Sequence, residues 1–334
     1  AILVFVFFVV GRLSSRVSES YADNLSADKT ERLIIKFKPL VPQFLKEKII
    51  SSNGASLSGK TMLSDTYSLS TESVNAPSVL AKLSKNLFVE YIEEDYVGKA
   101  LEIPNDPDYS KQWGLQKIQA QFGWDITHGN SNVEIAVVDT GVNYQHPDLS
   151  SKISKSVNCT LNSCPDYFTL DPDGHGTHVA GIASAITNNS AGVSGTLWEG
   201  KILSVKVLDD KGSGYYSWIA NGIVWAADNG ADVINLSLGG SFSSFTLENA
   251  INYAWNKGVV IVATAGNSSS TGRIYPAYYS NVIATAATDT SDKKASFSSY
   301  GSWVDVASPG VAIYSTFNDG YEYLSGTSMA APFV

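Results

Sequence analysis

The sequence predicts an α/β protein, a three-layer α/β/α arrangement around a central parallel sheet, preceded by a small α+β unit. Three observations carry this. Beyond residue 130, short continuous apolar runs alternate with longer segments of helical periodicity, as parallel strands do when helices cross over both faces of their sheet. Two of the helical segments run into glycine, Gly230 and Gly258, the residue that best closes a helix. Residues 31 to 101 form a separate group, with strand-like ends around an amphipathic middle.

In chain order, AILVFVFFVV at residues 1–10 is strongly apolar but too short to span a bilayer, and it has the length of the hydrophobic part of an export signal. No Met precedes it. Residues 1–20 are therefore expected to be a truncated signal peptide and spacer and the protein to be secreted, a buried core segment being the alternative. The polar, Ser-rich stretches up to residue 30 extend the spacer. ERLIIKFK and VEYIEEDYVG read as strands flanking the helical VPQFLKEKIISS, and LEIPNDPDYSKQWG is a linker. Then come the strand VEIAVVD, the helix HGTHVAGIASAI and the strand KILSVKVL. After these follow the helix SWIANGIVWAADNG, the strand DVINLSLGG, the helix FTLENAINYAWNKG and the strands VVIVATAGN and VIATAAT. Sheets of this kind place their sites at the carboxyl ends of strands, where Asp139, Gly239 and Asn267 lie.

The 334 residues, 44% of them hydrophobic, suffice for at least one substantial core. A net charge of -9 with few basic clusters argues against nucleic acid or anionic lipid as the main partner. Cys159 and Cys164 make a poor zinc site; in an exported chain they either close a small loop disulfide or remain two thiols.

IAVVDTGV, residues 135–142, runs four apolar residues into Asp-Thr-Gly. An aspartic protease presents its carboxylates this way, but two must share a proton, and no second such segment follows. GTLWEGKI from Gly195 resembles a phosphate loop, yet Ile202 offers magnesium no hydroxyl and the segment enters a strand. Two other segments give Asp139 a partner. DGHGTHVAG places His175 between glycines at a helix start, and GTSMAAP puts Ser328 on a turn before a helix-forming run, near its positive end. A serine hydroxyl needs a base to take its proton, and a histidine base needs a carboxylate on its other nitrogen.

The order Asp139, His175, Ser328, with the blocks VVDTG, GHGTHVAG, NLSLGG, TAGN and SGTSMAAP, resembles the subtilisin-like serine proteases and their thermitase branch, from about residue 31 onward. The resemblance implies a secreted serine endopeptidase precursor: a ferredoxin-like propeptide (31–101) that assists folding and inhibits in cis, then a peptidase domain (102–334). It implies Asn267 as oxyanion donor beside the Ser328 N–H, and substrate edges at Ser237, Leu238, Gly239 and at Gly212, Ser213, Gly214. Self-cleavage is expected between Leu101 and Glu102. Ile274 stands where subtilisin has a glycine, and Ser268 where an acidic residue is usual; a shallower, uncharged pocket preferring Leu or Met over Phe or Tyr is expected. Structural calcium (Ca2+) is implied at Asp106, Asp148, Thr187, Asn189, Ala191 and Val193. Asp171 and Asp173 are candidates for a second calcium site, and Asn158 heads a glycosylation sequon. Substrates would be polypeptides and the enzyme monomeric. The chain ends six residues after Ser328, where family chains continue for tens of residues, so C-terminal truncation is expected. The alternative is a catalytically silent binding or inhibitor scaffold of the same fold.

Overall fold

The computed structural model describes residues 30–98, 102–161, 163–168 and 170–334. The proposed signal peptide lies outside them, as does Leu101. The chain divides into two compact units, residues 1–99 and 100–334.

The first unit has the order β1 (Thr30–Phe37), α1 (Gln43–Ser52), β2 (Ser56–Lys60), β3 (Thr66–Glu72), α2 (Ala76–Leu83), β4 (Val89–Glu94). Its antiparallel sheet is ordered β2-β3-β1-β4, the split βαβ arrangement of ferredoxin-like units. Alternation in TERLIIKF turns Leu33, Ile35 and Phe37 inward, where they meet Ile50, Leu69, Val79 and Leu83 in one core.

The second unit opens with two short helices, α3 (Trp113–Lys117) and α4 (Ala120–Trp124), and then alternates: β5 (Glu134–Asp139), β6 (Ile153–Asn158), α5 (His175–Ser184), β7 (Lys201–Lys206), α6 (Tyr216–Asp228), β8 (Val233–Leu236), α7 (Phe245–Asn256), β9 (Val260–Thr264), β10 (Ile283–Thr288), β11 (Val306–Pro309). A hairpin of β12 (Ile313–Phe317) and β13 (Gly320–Leu324) precedes α8 (Thr327–Ala330). The seven-stranded sheet, ordered β11-β10-β9-β8-β5-β7-β6, is parallel throughout, as the apolar runs of β5, β7, β8 and β9 predict. Helices α6 and α7 pack apolar faces, including Ile223 and Ile251, onto one side, and α5 brings Val179 and Ile182 into a core with Val137 and Ile202.

The order of strands reverses at β5. The chain leaves it for β6, returns to β7, and crosses back to β8 on its other side. That reversal opens a crevice at the carboxyl ends of β5 and β8, which hold Asp139 and the segment beginning at Ser237. Among the described residues, no helix is long and apolar enough to cross a membrane. Of the two states the sequence left open, Cys159 and Cys164 adopt the bonded one, a disulfide beyond β6.

Candidate active site

Asp139 ends β5 fully buried. Its Oδ1 accepts the Thr140 N–H at 2.7 Å and the His175 Nδ1–H at 2.7 Å. His175 opens α5 behind Gly174, whose left-handed φ of 87° turns the chain into the helix. Thr140 binds strand end to helix start, its Oγ1 accepting the Gly176 N–H at 2.9 Å. The approach is so close that a Cβ on Gly176 would lie 2.1 Å from the Gly141 carbonyl oxygen. A carboxylate can only accept, so Nδ1 carries the hydrogen and Nε2 is the basic nitrogen. Burial lowers the basicity of this imidazole, but the charge of Asp139 and its hydrogen bond, with Asp173 and Asp171 behind, outweigh it and lift the pKa to about 9.

Ser328 lies in the first turn of α8, 9% exposed. Its hydroxyl donates to the Ser237 carbonyl at 3.1 Å, and the Ser237 hydroxyl donates to the Ser328 carbonyl at 2.7 Å. Ser237 thus grips the residue at both ends, and the Asn235 amide donates to the Ser237 hydroxyl at 2.9 Å. Asn267 follows β9. Its Oδ1 accepts both the N–H and the hydroxyl of Thr327 at 2.9 Å, which fixes the amide plane. Nδ2 is left without a hydrogen-bond partner among the described residues, 3.4 Å from where a Cβ on Gly326 would begin.

A cleft of about 450 Å³ is lined by His175, both backbone edges (Gly212–Gly214 and Ser237–Gly239) and Leu208, Tyr216, Ile219 and Asp173. Of the last four, sequence reasoning singled out only Asp173, and for calcium. Helical spacing puts Tyr216 and Ile219 on one face of α6, a signal that was available. Ile274 packs against two glycines: its Cγ2 is 2.7 Å from where a Cβ on Gly239 would begin and its Cγ1 2.9 Å from one on Gly266. Ser268 bonds to the hydroxyls of Ser270 and Ser299, without charge.

The residues expected around calcium meet in the loop 187–195. Asp106 accepts the N–H groups of Asn188 and Asn189, at 2.9 and 3.0 Å, and the Ser194 hydroxyl at 2.7 Å. Asp148 accepts the Asn189 side-chain amide at 2.8 Å, the Val193 N–H at 2.9 Å and the Tyr321 hydroxyl at 3.0 Å. Both carboxylates are buried, and every one of these partners is neutral. The carbonyl oxygens of Thr187, Ala191 and Val193 accept no hydrogen bond among the described residues. Two buried carboxylates whose hydrogen-bond partners are all neutral, beside unspent carbonyls, suit a hard divalent cation. Asn189 instead turns its Oδ1 to the Ala191 N–H, at 2.8 Å, so a cation there would need the amide rotated. Among the described residues, no three His, Cys, Asp or Glu side chains gather into a metal site. The second pair does not converge. Asp171 accepts the N–H and hydroxyl of Thr177, whereas Asp173 faces the cleft.

A parallel sheet of this strand order, with a histidine–aspartate pair at the carboxyl end of β5 and Ser328 bonded to Ser237 beyond β8, fits a class, the serine-type endopeptidases. The chain belongs to the subtilase family, peptidase family S8, whose pattern it matches over residues 130–334. It is 52% identical over 262 residues to a thermophilic serine proteinase from Bacillus sp. (strain AK1), covering 78% of this chain and 65% of that protein. It is 55% identical over 233 residues to thermitase from Thermoactinomyces vulgaris, covering 69% and 82% of the respective chains. A solved protease from Pseudoalteromonas arctica PAMC 21717 superposes with a TM-score of 0.65 at 33% identity, over 70% of this chain and 84% of that one.

Proposed function

We propose that this chain is the precursor of a secreted, calcium-stabilised serine endopeptidase acting through Asp139, His175 and Ser328. One observation carries the reading: the 2.7 Å bond from His175 Nδ1 to Asp139, at the mouth of the cleft that both proposed substrate edges line. The Ser328 hydroxyl proton leaves the Ser237 carbonyl for His175 Nε2 as Oγ attacks the scissile carbonyl. Asn267 Nδ2 and the Ser328 N–H then receive the oxyanion. As the tetrahedral intermediate collapses, the imidazolium protonates the leaving amine; water attacks the acyl-enzyme by the same route and frees Ser328. Asp139 stays an anion throughout, orienting the ring and stabilising its charge.

The peptide lies between the two edges as an added strand. Because Ile274 fills space between Gly239 and Gly266, the pocket favours Leu or Met over Phe or Tyr, in keeping with self-cleavage after Leu101. Residues 31–101 act as a propeptide that assists folding and inhibits in cis until removed, and the mature enzyme is a monomer. Asp106, Asp148, Asn189 and the carbonyls of Thr187, Ala191 and Val193 would hold calcium, which would supply positive charge to the two buried carboxylates.

A serine-directed fluorophosphonate tests the central reading. Covalent labelling of the processed protein, abolished by Ser328→Ala, is expected. A folded, processed chain that takes no label would leave the silent-scaffold reading standing in its place.

A further inference from the structure

The segment that follows the proposed cut is held at both of its ends. Asn105 and Asp106 bond to the loop at 188–190, and Pro104 before them is buried. Glu102 is fixed by two contacts of its own. Its backbone N–H donates to Asp125 Oδ1 at 3.1 Å, and its Oε2 meets His128 Nε2 at 2.7 Å. A carboxylate can only accept, so Nε2 carries the hydrogen. The His128 ring stacks in turn on the buried Trp198, with centroids 4.1 Å apart and planes at 23°. Asp125 is half-buried, and no ion pair among the described residues includes it. Two carboxylates therefore face one histidine and one neutral backbone N–H.

These contacts lie at the end of the sheet away from the catalytic pair. The His128 carbonyl accepts the Glu199 N–H at 3.0 Å, just ahead of β7. Strand β7 begins with Lys201 beside Glu134 and ends with Lys206 beside Asp139, so the length of a six-residue strand, about 17 Å, separates the two places. A peptide bond whose nitrogen is held on Asp125 is out of reach of Ser328, and docking and cutting exclude each other. We propose that Asp125 and His128 form a receptor for the amino terminus that self-cleavage creates, Asp125 taking the α-ammonium of Glu102 and His128 its side-chain carboxylate. The inference rests on the endopeptidase reading and on its cut before Glu102. Hydrolysis adds water across that bond, leaving a carboxylate on Leu101 and an amine on Glu102 that takes up a proton. One neutral donor becomes a cation with three, which strengthens the bond to Asp125 and balances the second carboxylate. The captured terminus stays out of the cleft, and the cut becomes one-way.

The reactivity of the α-amine tests this, since only its unprotonated form is acylated. The processed protein is first silenced by the serine-directed fluorophosphonate and then acetylated at pH 8, with the terminal peptide read by mass spectrometry. A free peptide of sequence Glu-Ile-Pro-Asn is the reference. The protein's α-amine is expected to react about 2- to 5-fold more slowly than the peptide's, the range of a half-exposed ion pair, and at the peptide's rate in Asp125→Asn. Equal rates in the wild type, or a slowing unchanged by Asp125→Asn, overturn the proposal. If Asp125→Asn does not fold, the wild type decides alone at low and high salt, and a slowing that salt does not reduce overturns it. Labelled protein that begins at a residue other than Glu102 defeats this inference and leaves the endopeptidase reading in place. Protein that neither labels nor processes itself defeats both.

Discussion

Three carboxylates surround one imidazole. Asp139 bonds to His175 directly, and Asp173 and Asp171 add their charge from the loop before it, so the ring keeps its proton to about pH 9 despite burial. In the proposed mechanism only the neutral ring can take the Ser328 proton. Activity is therefore expected to rise about tenfold per pH unit toward pH 9 and then level, in a kcat/KM profile of the processed enzyme. Asp173→Asn removes one of the three charges and should move that rise to lower pH; a rise that stays in place or moves upward counts against the account. Asn267 makes a second test. Thr327 holds its oxygen and leaves Nδ2 to the proposed oxyanion, so Asn267→Ala should lower kcat by about 10²–10³ with little change in KM. A loss confined to KM would show that Asn267 binds substrate and not the transition state.

Helix α5 and strand β5 are one construction. Gly176 lets them approach until Thr140 reaches the helix backbone, and any side chain there meets the Gly141 carbonyl and, at 3.1 Å, the Asp139 Cβ. Gly176→Ala is thus expected to cost about 1–3 kcal/mol by forcing backbone apart, seen as a lower Tm, and to disturb the Asp139–His175 bond in the same step. Unchanged stability would mean the contact relaxes freely. Legibility at this scale followed burial. Strands β5, β7, β8 and β9 are apolar on both faces and stand out in the sequence, as do the helix ends at Gly230 and Gly258, with φ of 95° and 90°. Strand β6, at the sheet edge with Ser154 and Lys155 exposed, does not, because nothing buries its outer residues into a periodic signal. The hairpin β12–β13 escaped reading because it lies outside the main sheet and alternates only weakly.

Over the whole molecule, acid stability turns on His178. Its ring is buried, with Nε2 on the carbonyls of Ile313 and Glu322 at 3.1 Å, and burial lowers its pKa to about 4. The unfolded chain takes up this proton near pH 6.5 and the folded chain does not. His178 therefore contributes stability above pH 6.5 that is lost as pH falls toward 4, roughly 3 kcal/mol from the difference in pKa. Asp171, raised by burial, acts in the opposite sense and favours the fold on acidification. An NMR titration that finds the His178 ring neutral down to pH 5 is expected; protonation near 6.5 would refute it. The proposed calcium would be the second global lever. Because it would bind the folded loop alone, chelation should lower Tm and added calcium restore it saturably, by about 2.7 kcal/mol at a hundredfold excess over Kd. A Tm indifferent to chelator would remove calcium from the proposal.

The sequence by itself determined the alternation that makes a parallel sheet, the strand ends that carry Asp139 and Asn267, and the order of Asp139, His175 and Ser328. These are matters of local periodicity and residue type, which report how each short segment divides between core and water. Only the tertiary structure decided that Ser237 grips Ser328 from 91 residues away, that Thr327 turns the Asn267 amide outward across 60, and that Asp173 faces Gly212 across the cleft. Such contacts depend on which strands become neighbours and in what register. No window along the chain contains that information, because the partners are brought together by burial of the whole sheet and not by their own spacing.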